Sequence, residues 1–354
     1  MKDILFKLEE NHFLNDDEFK LLLVDESEET LNVLNKRAAC VSKKTYGNKV
    51  YIRGLIEFTN YCKNDCYYCG IRKSNCRAER YRLTDEQILD CCAAGYKLGF
   101  RTFVLQGGED GFFTDEKMLA IIKKIKKSYP DCALTLSIGE RGYDSYKAFF
   151  DAGADRYLLR HETADSEHYS RLHPSGLSLE NRMKCLFDLK EIGYQVGCGF
   201  MVGSPYQSTN SIIKDLKFIR DLNPHMVGIG PFIPHNATPF KACKQGDMHL
   251  TLKLLSIIRL MLPNVLLPAT TALGTIDPAG REKGILAGAN VVMPNLSPND
   301  VRKKYLLYDN KLCTGDEAAE CVLRLKNKMK SIGYEIATCR GDYKNITESN
   351  SYGK

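Results

Sequence analysis

From Val50 onward, short runs of β-branched and apolar residues alternate with stretches whose apolar positions recur every three to four residues, the pattern of repeated strand–helix units. Eight runs predict strands: Val50–Phe58, Thr102–Leu105, Ala133–Ser137, Arg156–Leu159, Gln195–Met201, Met226–Ile229, Val265–Ala269 and Asn290–Met293. The intervening segments Thr84–Leu98, Asp115–Lys127, Tyr143–Ala152, Leu179–Ile192, Ser211–Leu222, Leu250–Leu262 and Ala279–Ala287 predict helices. Such units imply parallel strands with right-handed crossovers, and eight of them close most simply as a (β/α)8 barrel. An open, doubly wound sheet is the alternative.

Ahead of the barrel, residues 1–45 predict short helices, with Asn15 and Glu18 placed as a capping box and Ser27 opening a Leu- and Val-rich helical segment. After Asn295 a loop carrying Tyr305 and Tyr308 leads to a helix near Asp316–Ser331 and a polar tail. Poor order is expected past about Cys339. The expected division is a helical extension over 1–48, the barrel over 49–312, and a C-terminal helix and tail over 313–354.

In a barrel of this kind the C-terminal ends of the strands form the active face. The residues that should meet there are Asn60 with the cysteine loop after it, Gln106–Glu109, Gly139-Glu140, Arg160–Glu162, Val202-Gly203, Gly230–Phe232, Thr270-Thr271 and Pro294-Asn295. Polar residues and glycines predominate among them.

Composition narrows the function classes. Apolar residues make up 44% of the 354 and charged residues 27%, which suits a globular protein rather than a disordered one. The net charge of +6 comes from scattered residues and helix faces such as 123–127, so no nucleic-acid site is expected. The most apolar stretch, Leu250 to Leu267, is broken by Lys253, Arg259 and Pro263, and no export signal is apparent, so a cytoplasmic protein without a membrane partner is expected. Fourteen cysteines in a reducing compartment point to metal ligands or buried thiols rather than disulfides. Cys91-Cys92, Cys132 and Cys185 lie in apolar-periodic or strand-flanking segments and read as packing.

One cysteine set is different. Cys62, Cys66 and Cys69 follow the first strand with CxxxCxxC spacing; three converging thiolates suit an iron–sulfur cube whose fourth iron keeps an open position. Zinc, or a closed cluster with Cys76 as fourth ligand, is the other reading of the spacing. With Tyr68 before the last cysteine, the segment resembles the radical S-adenosylmethionine (SAM) superfamily. That resemblance implies a [4Fe–4S] cluster with one open iron, on which SAM is chelated and reductively cleaved to a 5′-deoxyadenosyl radical. It also implies SAM contacts from Tyr68, from Gln106, Gly107, Gly108 and Glu109 at the second strand end, from Ser137, from Arg160 and Glu162, from Arg182 and from Met201. His161 is open between a core histidine and a ligand.

The runs Leu105–Asp110, Tyr157–Ala164, Met226–His235, Pro268–Thr275 and Ala289–Asn295 further resemble the HydE family of [FeFe]-hydrogenase maturases, in the group that includes biotin synthase and methylornithine synthase. This implies an organometallic iron–cysteinate substrate, a reduced ferredoxin- or flavodoxin-like electron donor, and the maturases HydF and HydG as partners. Thr270, Thr271, Met293, Tyr305 and Tyr308 match positions lining the family's internal cavity. Some members carry a second cluster near the C-terminus; here Cys313 and Cys321 match two of its positions but Arg324 takes the third, so no second cluster is expected. A methylornithine synthase-like mutase, a biotin synthase-like enzyme and a non-enzymatic iron–sulfur carrier remain as alternatives.

Overall fold

Parallel strands close into a ring in the computed structural model, which describes residues 1–312 and 318–344. The first stave bends at Arg53: Lys49–Ile52 pairs with Val291–Val292, and Gly54–Thr59 pairs with Thr102–Gly107. Ala133–Ser137, Arg156–Leu158, Gln195–Cys198 and Met226–Val227 follow in order. The seventh stave is held by the bridges Met226↔Leu266 and Pro268↔Val291, and the eighth is Val291–Val292. The ring shuts where Tyr51 N–H reaches Asn290 O and Leu55 N–H reaches Pro294 O, both at 2.9 Å. The eight expected strands are therefore the eight staves, and closure rules out the open sheet. Beyond Gly199 and Gly228 the fifth and sixth staves resume as the paired Met201–Val202 and Gly230–Pro231.

The outer helices begin and end where their caps dictate. Leu179–Ile192 starts after Ser178, which accepts from Asn181 N–H, and stops at Gly193 in the left-handed region. Asp16–Val24 carries the expected box: Asn15 Oδ1 accepts from Glu18 N–H and Glu18 Oε2 from Asn15 N–H, both at 2.9 Å. It packs mainly on Thr209–Leu222, while Lys2–Asn11 and Glu28–Tyr46 cover the outside of Met248–Met261, which is buried continuously from Thr251 to Met261. That cover explains why this stretch is the most apolar in the chain. Its Lys253, 1% exposed, donates to Leu22 O at 3.2 Å, Leu23 O at 3.3 Å and Asp25 O, satisfying the carbonyl end of Asp16–Val24.

Three short helices, Ser166–Leu172, Thr271–Ile276 and Asn299–Arg302, and the strand Glu335–Ala337 against Lys49–Ile52 were not expected. Residues 340–344 also depart from expectation, because they are built into the base of the barrel, while 345–354, the rest of the tail expected to be poorly ordered, lie outside the described residues. Arg156, fully buried at the start of its strand, donates to Asp342 Oδ1 at 2.6 Å and Arg340 O at 2.9 Å. A buried guanidinium needs acceptors, and this segment brings them. Cys313 and the Cys321 side chain lie outside the described residues. Among the described residues no helix is long and apolar enough to cross a membrane.

Candidate active site

All of the residues singled out from the sequence as ligands or contacts line one cavity of about 360 Å³ at the C-terminal ends of the strands. Cys62, Cys66, Cys69 and Tyr68 form one wall; Gln106 to Glu109 and Ser137 the next. Arg160, Glu162, Arg182 and Met201 continue it, and Thr270, Thr271, Met293, Tyr305 and Tyr308 complete the ring.

The cysteine loop is held by side chains that bond to its backbone. Asn60 donates to Glu79 O at 2.9 Å and Lys304 O at 2.8 Å while accepting from Tyr81 N–H at 2.9 Å. Arg80 bonds Ile71 O at 2.9 Å and Arg72 O at 2.7 Å. Gly108 matters for a reason other than ligand approach: a Cβ there would stand 2.2 Å from Tyr61 O and 2.7 Å from Cys62 Cβ, so only glycine lets the loop lie against the second strand end. The three thiols are partly exposed, but toward the cavity. Burial pushes all three up, Cys69 to about 12, so they are neutral until a cation binds. Among the described residues no three His, Cys, Asp or Glu side chains stand close enough to share a single metal ion.

The polar wall is charged and incompletely paired. Glu162, at φ 66°, is held there by its N–H to Gly199 O at 3.0 Å, and its carboxylate lies 3.0 Å from Arg160. Arg160 Nε is buried without a hydrogen-bond partner. Arg182 is engaged by Glu140 at 2.5 Å and Glu109 at 3.8 Å, and Lys63 meets Glu109 at 3.3 Å, so these charges form a network beside the cysteine loop. His161 points away from the cavity into the core: its Nδ1 accepts from Gly199 N–H at 3.3 Å and its Nε2 lies 3.3 Å from Asp215. Burial lowers it to about 3, so the ring is neutral.

On the far wall Thr270 precedes the helix Thr271–Ile276 but makes no side-chain cap bond, and its buried Oγ1 has no partner. The Thr271 hydroxyl accepts from Arg281 at 3.4 Å. Tyr305, buried, meets Gln106 at 3.4 Å, and burial pushes Tyr308 up to about 12. Sequence reasoning missed Glu57 and Lys311, an ion pair at 2.5 Å on this wall, 1% and 9% exposed, with Asn295 Nδ2 on the other glutamate oxygen at 2.7 Å. Glutamate inside a strand reads as surface; only the closed ring shows that position 57 faces inward. It also missed His173, buried behind Tyr68 at 3.1 Å.

Residues 56–219 match the model of the radical SAM superfamily. The chain is 40% identical to the [FeFe] hydrogenase maturase subunit HydE of Thermotoga maritima, over 98% of this chain and 99% of that protein. It is 32% identical to the 3-methylornithine synthase of Methanosarcina acetivorans over 94% and 93% of the two chains. Among solved structures it resembles methylornithine synthase (TM-score 0.84, 29% identity, 94% and 97% covered). It also shares the fold of the maturase HydG (TM-score 0.79, 22% identity, 96% and 76% covered).

Proposed function

The chain belongs to the HydE family of hydrogenase maturases within the radical SAM superfamily, and from that premise we propose that Cys62, Cys66 and Cys69 hold a [4Fe–4S] cluster with one open iron beside bound SAM. The observation that carries this reading is a shared space. Three thiols from one loop, the orphaned Arg160 Nε and the orphaned Thr270 Oγ1 line the same cavity, so a cluster's ligands and polar groups awaiting a ligand adjoin. Such a cluster, when reduced, supplies the electron that cleaves SAM to a 5′-deoxyadenosyl radical.

The chain's own residues bind and shield. Arg160 offers its unpaired donor to SAM's carboxylate, with Arg182 beside it; Glu162 serves the sulfonium and the ribose hydroxyls. Gln106, Gly107, Gly108 and Glu109 frame the methionyl amino group, Ser137 and Met201 border the nucleoside, and Tyr68 closes the edge. Thr270, Thr271, Met293, Tyr305 and Tyr308 enclose an organometallic iron–cysteinate precursor of the di-iron subcluster, and the enclosing walls exclude water. HydG as supplier, HydF as recipient, a reduced ferredoxin- or flavodoxin-like donor and a cytoplasmic setting complete the proposal.

Anaerobic reconstitution should give about four irons per chain, SAM should perturb the EPR spectrum of the reduced cluster, and 5′-deoxyadenosine should form; Cys66→Ser should abolish all three. Stoichiometric zinc with no SAM cleavage after reconstitution would overturn the reading. The likeness to methylornithine synthase supports a second reading, a mutase acting on lysine. Conversion of lysine to methylornithine would establish that reading instead.

A further inference from the structure

Glu162 lines the cavity from a backbone conformation that an L-residue resists. Its φ of 66° is left-handed, and among the described residues it alone of the non-glycines lining the cavity has positive φ. Such strain at a functional position persists only where the surroundings over-determine it. Glu162 N–H to Gly199 O at 3.0 Å is one restraint. The others act on the residues to either side.

Both sides converge on one buried oxygen. Asp215, 0% exposed on the helix Thr209–Leu222, accepts through Oδ1 from Ala164 N–H at 2.5 Å. The same oxygen lies 3.3 Å from His161 Nε2. Because His161 Nδ1 accepts from Gly199 N–H, the hydrogen of the neutral ring sits on Nε2, on the side of Asp215. Phe200 and Phe218 flank that ring at centroid distances of 5.9 and 4.8 Å. The helix also grips the segment further on, since Ser211 Oγ and Lys214 Nζ each lie 3.1 Å from Asp165 Oδ2.

We infer that Asp215 is a positioning residue that clamps His161 and Ala164 around Glu162 and so aims the Glu162 carboxylate at bound SAM. This role rests on the SAM contact proposed above for Glu162. Asp215 does not line the cavity, so it acts only through the backbone it holds. Without its Oδ1, Ala164 N–H and the imidazole lose their common acceptor; residue 162 then relaxes toward ordinary φ and turns its carboxylate aside.

Anaerobic equilibrium dialysis of SAM against the cluster-reconstituted full-length protein tests this without turnover. Asp215→Leu should weaken SAM binding about tenfold, the lower end for losing a charge-assisted contact, with iron content per chain unchanged. Asp215→Asn, whose amide oxygen can take the place of Oδ1 between the same two donors, should bind SAM close to wild type. In a Glu162→Ala background Asp215→Leu should weaken SAM no further, because the carboxylate it aims is gone. Should the leucine variant not fold, His161→Phe removes one arm of the clamp while keeping a ring between Phe200 and Phe218, and it should lower affinity only when Glu162 is present. Unchanged SAM affinity in cluster-loaded Asp215→Leu, or in His161→Phe where it stands in, overturns the inference. So does an equal loss with Glu162→Ala in place, or a loss in Asp215→Asn as large as in Asp215→Leu. Unchanged affinity in Glu162→Ala alone overturns the underlying SAM contact instead.

Discussion

Removing the Lys311 ammonium isolates a carboxylate that the barrel has almost fully desolvated. In Lys311→Met, Glu57 keeps only the Asn295 amide at 2.7 Å and remains 1% exposed in the wild-type geometry. Breaking a buried pair by removing one partner leaves an uncompensated charge and costs about 3–5 kcal/mol. Urea denaturation of wild type and variant measures the difference. The double variant Glu57→Gln/Lys311→Met, with neither charge, should regain most of the loss. A loss below about 1 kcal/mol in the single variant, or no recovery in the double variant, would show that the pair is not held as a desolvated unit.

Gly108→Ala should lower iron incorporation, because the new methyl group collides with Tyr61 O and displaces the cysteine loop; iron and sulfide content after reconstitution reads it. Thr270→Val should leave stability equal or slightly higher, since it removes an unsatisfied buried hydroxyl. It should also leave SAM cleavage standing while reducing hydrogenase maturation, and equal loss of both activities would place Thr270 in the SAM site. Lys253→Met should cost about 1–3 kcal/mol by stranding the carbonyls of Leu22, Leu23 and Asp25, and limited proteolysis should then cut first within residues 1–30.

The barrel was legible because each unit carries its own signals. The helix Leu179–Ile192 is written in Ser178, its apolar period and Gly193, and the strands in β-branched runs of the right length. Ser166–Leu172 was not, since seven residues give less than two full periods and its buried side chains include His168. Glu335–Ala337 is three residues long and gains its place only from the free edge of Lys49–Ile52. In the site, residues announced by spacing or strand-end position came together, whereas Glu57, Lys311 and His173 did not show themselves. Their roles depend on which way a strand faces and on contacts across 254 residues for the ion pair and 105 for the Tyr68–His173 bond. Arg156 did offer a clue to the placement of residues 340–342, as an arginine opening a core strand must find acceptors somewhere.

Hydrogenase maturation in vitro reads the proposed activity itself. Cluster-reconstituted chain, added with SAM, a reductant and compatible HydF and HydG to apo-[FeFe]-hydrogenase lacking HydE, should restore hydrogen evolution, and Cys66→Ser should not. Robust SAM cleavage with no recovery of hydrogenase activity, in an assay that Thermotoga maritima HydE rescues, would overturn the proposed maturase function.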